Sequence, residues 1–299
     1  MGGRLPAALG NVKNLLYQFD TDALPSVFDN VVAYDGGADH VGAYGGVNAD
    51  NVGSLAEGAI FTRGAGDKRH TGIFIGGSNL DAGESVLRAL QTKFFAKFRV
   101  SVMLDCNGSN TTASALVASL AHGRSLAGKR AVILGGTGPV GQRVAALLCM
   151  EGAAVSLVGR KLDVVRGAGV SIRERFGHET AAIEATTDAA RAAAIAGAQV
   201  VVATGAAGIN LLRENAWQSS TSLEMLADAN ASPPAGIEGV WAIDRGRASH
   251  GKILYGPLGF GALKLAVHRE CIGHLFERND LVLDCEQIYG IAKALIGPT

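Results

Sequence analysis

A chain of 299 residues, 48% hydrophobic and 18% charged, has apolar material for buried cores and room for two domains of ordinary size. Lys plus Arg and Asp plus Glu both number 27, which excludes a net field that would draw nucleic acid or an anionic membrane, so partners must be recognised locally. The cysteines Cys106, Cys149, Cys271 and Cys285 form no C-x-x-C pair and no ligand spacing with histidine. That pattern argues against a metal site and reads as reduced thiols of a cytoplasmic protein.

The opening MGGRLPAALGN carries no basic-then-apolar leader and lacks the Ser or Thr of a myristoylation motif, so residues 1–13 read as a loose extension dispensable for catalysis. No uninterrupted apolar span of bilayer length follows. From there strand and helix alternate: Asn14 to Phe19 reads as a strand, Pro25 to Tyr34 as a helix and His70 to Ile75 as a strand. Asp81 to Phe95 has helical periodicity through Val86, Leu87, Leu90 and Phe94, Phe98 to Leu104 is the next strand, and Thr111 to His122 the next helix. These elements predict an α/β domain over 14–125. Its loop Asp105, Cys106, Asn107, Gly108, Ser109, Asn110 is unusually polar. Loops at the C-terminal ends of parallel strands are where α/β domains put ligand groups, which makes Asp105, Asn107, Ser109 and Asn110 candidate substrate contacts. Helix capping by Asn110 or Thr111 is the other reading, and the pattern leaves both open.

The segment Arg130 to Gly141, RAVILGGTGPVG, joins an apolar run at Ala131, Val132, Ile133, Leu134 to a complete G-x-G-x-x-G turn. Gly136 permits the tight turn, Gly138 leaves room for the backbone to approach a pyrophosphate, and Gly141 lets helix and strand pack closely. Thr137, Pro139 and Val140 fill the same turn, with Pro139 suited to a first helical position and the free N–H groups of the helix start facing phosphate. Val140, Val144, Leu147 and Leu148 fall on one helical face, Gly152 stops the helix, and Ala154 to Val158 supplies the second strand. A bare glycine motif is weak in a chain with 41 glycines, but this β-turn-α-β context is that of a dinucleotide site. After the second strand the chain reads Val158, Gly159, Arg160, Lys161, with no carboxylate to accept from a ribose 2′-hydroxyl. A guanidinium and an ammonium suit a 2′-phosphate, so NADP is the expected cofactor; the alternative is a solvated basic corner.

Further strands are expected at Gln199 to Ala203, ending in Thr204, Gly205 and Ala206, and near Leu223 to Leu226, ending in Asp228, Ala229 and Asn230; both endings should face the cofactor. A helix from Ala262 places Lys264 and His268 one turn apart on one face. A final helix, Asp284 to Leu295, with Ile288, Ile291 and Leu295, is expected to pack back on the first domain. The predicted organisation is therefore α/β throughout: a doubly wound, Rossmann-type parallel sheet over 126–264, and a separate N-terminal α/β domain completed by 265–299.

The blocks QFDTDALPSVFD (Gln18 to Asp29), YDGGADH (Tyr34 to His40), TRG (Thr62 to Gly64), LDCNGSNTT (Leu104 to Thr112), GGTGPVG, GRKLD and GALKLAVHR (Gly261 to Arg269) closely resemble the NADP-dependent methylene-tetrahydromethanopterin dehydrogenase family of methylotrophic bacteria. The likeness spans nearly the whole chain, although Val164 to Gly177 and Trp241 to Tyr255 match no motif. It implies a pterin-binding first domain, an NADP-binding Rossmann domain, a homotrimer, and no metal. It also implies transfer of a hydride from the methylene carbon bridging N5 and N10 of a tetrahydropterin to nicotinamide C4. Both nitrogens feed the developing methenyl cation, so the main task is orientation, which supplies about 7–11 kcal/mol in well-oriented systems. The resemblance assigns Phe28 to the wall beside the reacting carbon and Lys264 and His268 to the substrate side, with Asp29 offering compensating negative charge. An ammonium beside a methenyl cation is repelled, so Lys264 stands aside or is neutral and bonds a pterin or arylamine heteroatom while His268 orients the ring. Tetrahydrofolate as carrier, an added cyclohydrolase activity and a non-enzymatic NADPH-binding regulator remain open from sequence.

Overall fold

The computed structural model describes residues 12–297, so the expected N-terminal extension lies almost wholly outside the described residues. Contacts divide the chain into two units: one reaches to Asn107 and takes in His268–Asp284, and the other comprises Gly108–Val267 and resumes at Cys285.

In the first unit, β1 (Leu15–Asp20), β2 (His40–Tyr44), β3 (Thr71–Gly76) and β4 (Ser101–Leu104) form a parallel sheet with β12 (Val282–Leu283), in the order β12-β4-β3-β1-β2. Helices α1 (Val27–Asp35), α2 (Val52–Phe61) and α3 (Leu80–Thr92) connect the strands. Every residue of β3 is buried, as a central parallel strand requires. Ser26 caps α1 and Asn79 caps α3, each by a side-chain oxygen accepting a backbone N–H. The core gathers Ile60, Ile73, Ile75, Leu90 and Leu104, all at or near zero exposure. The strand β2 and the helix α2 were not anticipated: β2 buries only Val41, and α2 contains two glycines and no side-chain cap. Strand β2 presents no apolar alternation; the apolar stripe of α2, Val52, Ala56, Ala59 and Ile60, is built half of alanine.

Gly83 shows how tightly α3 lies on this sheet, because a Cβ there would collide with Cys106 Sγ and come 3.2 Å from Leu104 Cδ1. Gly83→Ala is expected to lower stability by about 1–3 kcal/mol through overpacking, although alanine is the better helix former. A downward shift of the urea midpoint, partly recovered on adding Cys106→Ala, checks this; an unchanged midpoint refutes it.

The second unit opens with α4 (Ser109–Ala121) and continues through β5 (Arg130–Leu134), α5 (Pro139–Met150), β6 (Ala154–Gly159), α6 (Leu162–Phe176), β7 (Ala181–Glu184), α7 (Asp188–Ala194), β8 (Val200–Ala203) and β9 (Met225–Asp228). The hairpin β10 (Arg245–Ser249) and β11 (Lys252–Tyr255) precedes α8 (Gly261–His274), inside which the unit boundary falls, and α9 (Cys285–Ile296) ends the described chain. The sheet order is β10-β11-β9-β8-β5-β6-β7, parallel except for β10. This is the expected doubly wound sheet, with its switch of direction between β5 and β8. The hairpin was unassigned in sequence; His250 and Gly251 both take positive φ, 49° and 72°, at its two-residue turn.

Two expectations are corrected. The helix after the polar loop and the final helix were placed with the first domain, but α4 packs on α5 and α9 inside the second unit. Tyr289 donates to Glu151 Oε1 at 2.8 Å and Lys293 at 3.0 Å, tying α9 to the end of α5. The return to the first unit is made instead by the end of α8 and by β12. Helix α5 was also expected to bury one face, but Arg143 to Leu148 are all buried, because α4, α6 and α9 surround it.

Candidate functional site

In the first unit the direction of the sheet changes between β1 and β3, and side chains collect at the C-terminal ends of those strands. Asp20, the last residue of β1, is buried and accepts the N–H groups of Asp22 (2.9 Å) and Ser26 (3.0 Å). That folds the connection back so that Ser26 Oγ accepts from Asp29 N at 3.2 Å and fixes Phe28 and Asp29 in the first turn of α1. A Cβ on Gly76 would lie 3.4 Å from Asp20 Oδ2 and 3.7 Å from Asp29 Oδ2, so the two carboxylates converge on one spot. Gly77 must be glycine, since its φ is 112° and any Cβ would strike Thr21 Oγ1. Phe28 is 50% exposed, against the usual fate of a phenylalanine on an apolar helix. His268 is buried, stacked on Phe74 with ring centres 5.3 Å apart and tilted toward Phe28 at 6.3 Å. The structure thus brings Phe28, Asp29 and His268 into one unit and adds Asp20, which the sequence reading did not single out although it lies in QFDTD at a strand end.

The polar loop is divided. Asp105 is buried, with its N–H donating to Ile75 O at 3.0 Å, and Asn107 is exposed in a left-handed conformation with φ 57°. Burial, together with Asp105, Asp20, Asp29 and Glu84, pushes the Cys106 thiol far above its usual range, so it is no nucleophile. Ser109 and Asn110 are fully buried, and Asn110 Oδ1 accepts from Arg143 Nε at 2.9 Å. Neither Asn110 nor Thr111 caps α4: the cap position is Gly108, also left-handed, and both residues lie inside the helix. A Cβ on Gly108 would come 2.8 Å from Lys264 Nζ, so the ammonium rests against bare backbone.

In the second unit Gly138 caps α5 with Pro139 in the first turn. The glycines of the turn differ in what holds them. A Cβ on Gly136 would lie 3.1 Å from Ile133 O and 2.9 Å from Leu157 Cδ2, and one on Gly141 would lie 2.7 Å from both Gly136 Cα and Thr204 Oγ1, so protein packing resists a side chain at each. Around Gly138 a Cβ would meet nothing within 4 Å among the described residues beyond its chain neighbours, and its φ of −79° suits any residue. Glycine is needed there only if something outside the protein takes the space. Thr204 Oγ1 donates to Gly135 O at 3.2 Å, and Gly135 nearly touches Gly205, joining the ends of β5 and β8. Thr137, Val140 and Ala206 line the same strand ends in sequence. Asn230 Oδ1 accepts from Ser232 N at 3.0 Å, and its own N–H goes to Asp228 Oδ1 at 2.9 Å. Burial raises the Asp228 carboxyl above the ordinary range, and the N–H groups of Asn230, Ile237 and Gly236 oppose that shift. Arg160 and Lys161 are exposed at the end of β6, and among the described residues neither has a hydrogen-bond or ion-pair partner for its side chain. A basic pair left open beside the glycine turn fits a ribose phosphate. Among the described residues no cluster of metal-binding side chains occurs and no helix is long and apolar enough to cross a membrane.

A family model described as methylene-tetrahydromethanopterin dehydrogenase, N-terminal, matches residues 27–107. The bifunctional protein MdtA of Methylorubrum extorquens is 54% identical over 285 residues, covering 95% of this chain and 99% of the relative. The NAD(P)-dependent methylenetetrahydromethanopterin dehydrogenase of the same organism is 33% identical over 282 residues, covering 91% and 95%. Among solved structures, 5-ketofructose reductase of Gluconobacter matches with a TM-score of 0.54 at 16% identity (96% of this chain, 100% of that one). Ornithine carbamoyltransferase from Pyrococcus furiosus gives 0.55 at 11% (88% and 83%). These two speak for the fold alone. With identity sustained over both units, the chain belongs to the methylene-tetrahydromethanopterin dehydrogenase family.

Proposed function

We propose that the protein oxidises methylene-tetrahydromethanopterin to its methenyl form with NADP, as an oxidoreductase of one-carbon metabolism in methylotrophy. The observation that carries the reading is the convergence of Asp20 and Asp29 on Gly76 beside Phe28 and His268. A carrier whose oxidised product is a cation is served by fixed negative charge. At an effective dielectric of about 20 and a separation of about 6 Å, each carboxylate contributes roughly 3 kcal/mol of attraction to a unit positive charge. Phe28 supplies an apolar wall that keeps water from the reacting carbon, and His268, locked on Phe74, orients the pterin ring. Lys264, held against Gly108, donates to a heteroatom of the carrier. Asn107, exposed, is the loop group of the first unit assigned to the pterin, while Asp105, Ser109 and Asn110 are buried and Asn110 braces the start of α4 through Arg143.

Gly136, Thr137, Gly138, Pro139, Val140 and Gly141 form the diphosphate turn; Thr204, Gly205, Ala206 and Asn230 complete the cofactor side, and Arg160 and Lys161 take the 2′-phosphate. The open space at Gly138 supports this fit. Bound NADP supplies the hydride acceptor. Arg160→Ser is expected to raise KM for NADP at least about tenfold and to leave KM for NAD little changed, as loss of a charge-assisted bond to phosphate requires. Equal losses for both would refute the assignment.

The test of function is spectrophotometric: methylene-tetrahydromethanopterin plus NADP should yield NADPH with accumulation of the methenyl compound. Failure to turn over with NADP binding intact would favour a regulator, enzyme-dependent loss of the methenyl product would favour a dehydrogenase-cyclohydrolase, and faster turnover of methylene-tetrahydrofolate would transfer the assignment to that carrier. A cytoplasmic homotrimer belongs to the same reading, and sedimentation equilibrium tests its mass.

A further inference from the structure

The second unit contains a cavity of about 480 Å³ that shares no lining residue with the groups assigned to pterin or NADP. Its walls include His122 after α4, Arg245 and Tyr255 of the hairpin, and Phe260, Leu263 and Leu295. The volume is that of a small-molecule site. Successive residues on a helix turn by about 100°, so Ala262, Leu263 and Ala266, which face the cavity, lie on the side of α8 turned away from Lys264.

The charge of this cavity is one-sided. None of its lining side chains is a carboxylate. Arg124 Nη1 lies 3.3 Å from the Tyr255 hydroxyl and 3.0 Å from His122 O, which holds a guanidinium at the rim. Arg245 is exposed and, among the described residues, its side chain has no hydrogen-bond or ion-pair partner. The first turn of α8 carries no acidic residue, and its free N–H groups add positive potential. The last turn of α9 opposes this only with the partial charges of its carbonyls. Cations at one end and Phe260, Leu263 and Leu295 at the other suit an amphiphilic anion.

We infer that this cavity binds a small organic anion, a carboxylate on an apolar body, at a site separate from the one that serves hydride transfer. The probe is benzoate, with benzamide as its neutral counterpart, titrated calorimetrically into the full chain at saturating NADP. The saturation keeps Arg160 and the Gly138 turn occupied, and the readout is heat of binding rather than turnover, so failure here leaves the dehydrogenase reading untouched. Benzoate should bind saturably, benzamide at least about fivefold more weakly, and Arg245→Gln should weaken benzoate by a similar factor, as loss of one charge-assisted contact implies. Leu263→Trp, which fills the apolar end, should abolish binding while NADP binding persists. No uptake of benzoate at about 20 mM, equal binding of benzamide, or binding unaffected by both substitutions would overturn the inference.

Discussion

Replacing Lys264 with alanine is expected to lower turnover by about 100-fold to 1,000-fold while the dissociation constant for NADP changes by less than about threefold. The reasoning begins at Gly108. Its φ of 57° and its lack of a side chain let the ammonium lie against backbone, where even a methyl group would sit 2.8 Å from Nζ. A side chain seated that closely is held in one place, and a donor aimed at a carrier heteroatom is worth most when it need not be reorganised during reaction. Arginine should not rescue the loss, since its planar fork needs room the glycine contact does not leave. Unchanged turnover in Lys264→Ala would remove the residue from the reaction.

Gly138→Val should act in the opposite place, on cofactor binding without unfolding. Among the described residues nothing beyond its chain neighbours lies within 4 Å of the new Cβ, and the backbone there is open to any residue, so stability should fall by no more than about 1 kcal/mol, the cost of a poorer helix cap. NADP affinity should fall at least about 100-fold, or about 2.7 kcal/mol, because the side chain fills the space left for the diphosphate. Gly141→Ala makes the contrast, since its Cβ would press Gly136 Cα and Thr204 Oγ1 at 2.7 Å and should cost folding first. Thermal melts paired with NADP titration separate the two. Retained affinity in Gly138→Val would dismiss the proposed cradle.

The second unit was legible because its strands are buried parallel runs and its glycines punctuate a known turn; β5, β6 and β8 fall where periodicity placed them. Marginal elements were not legible: β2 and the hairpin lie at sheet edges, where half-exposed residues lose the alternation that marks a strand. The polar loop was legible only in part. Ser109 and Asn110 lie buried in the first turn of α4, and Asn110 accepts from the buried Arg143, a partner that only tertiary structure reveals. The meeting of Phe28 with His268, and of Asp20 with Asp29, depends on which strand ends adjoin, and local sequence does not encode that.

The short strand β12 pairs Val282 with Val102 and Leu283 with Met103, closing the edge of a sheet whose other strands were synthesised first. On the ribosome, the amino-terminal lobe therefore waits with β4 unpaired on one side until Val282 and Leu283 have emerged, while the nucleotide lobe has its entire sheet available once Tyr255 is made. A nascent chain stalled before His268 would expose a ladder of unsatisfied backbone groups, a natural point of capture for a chaperone.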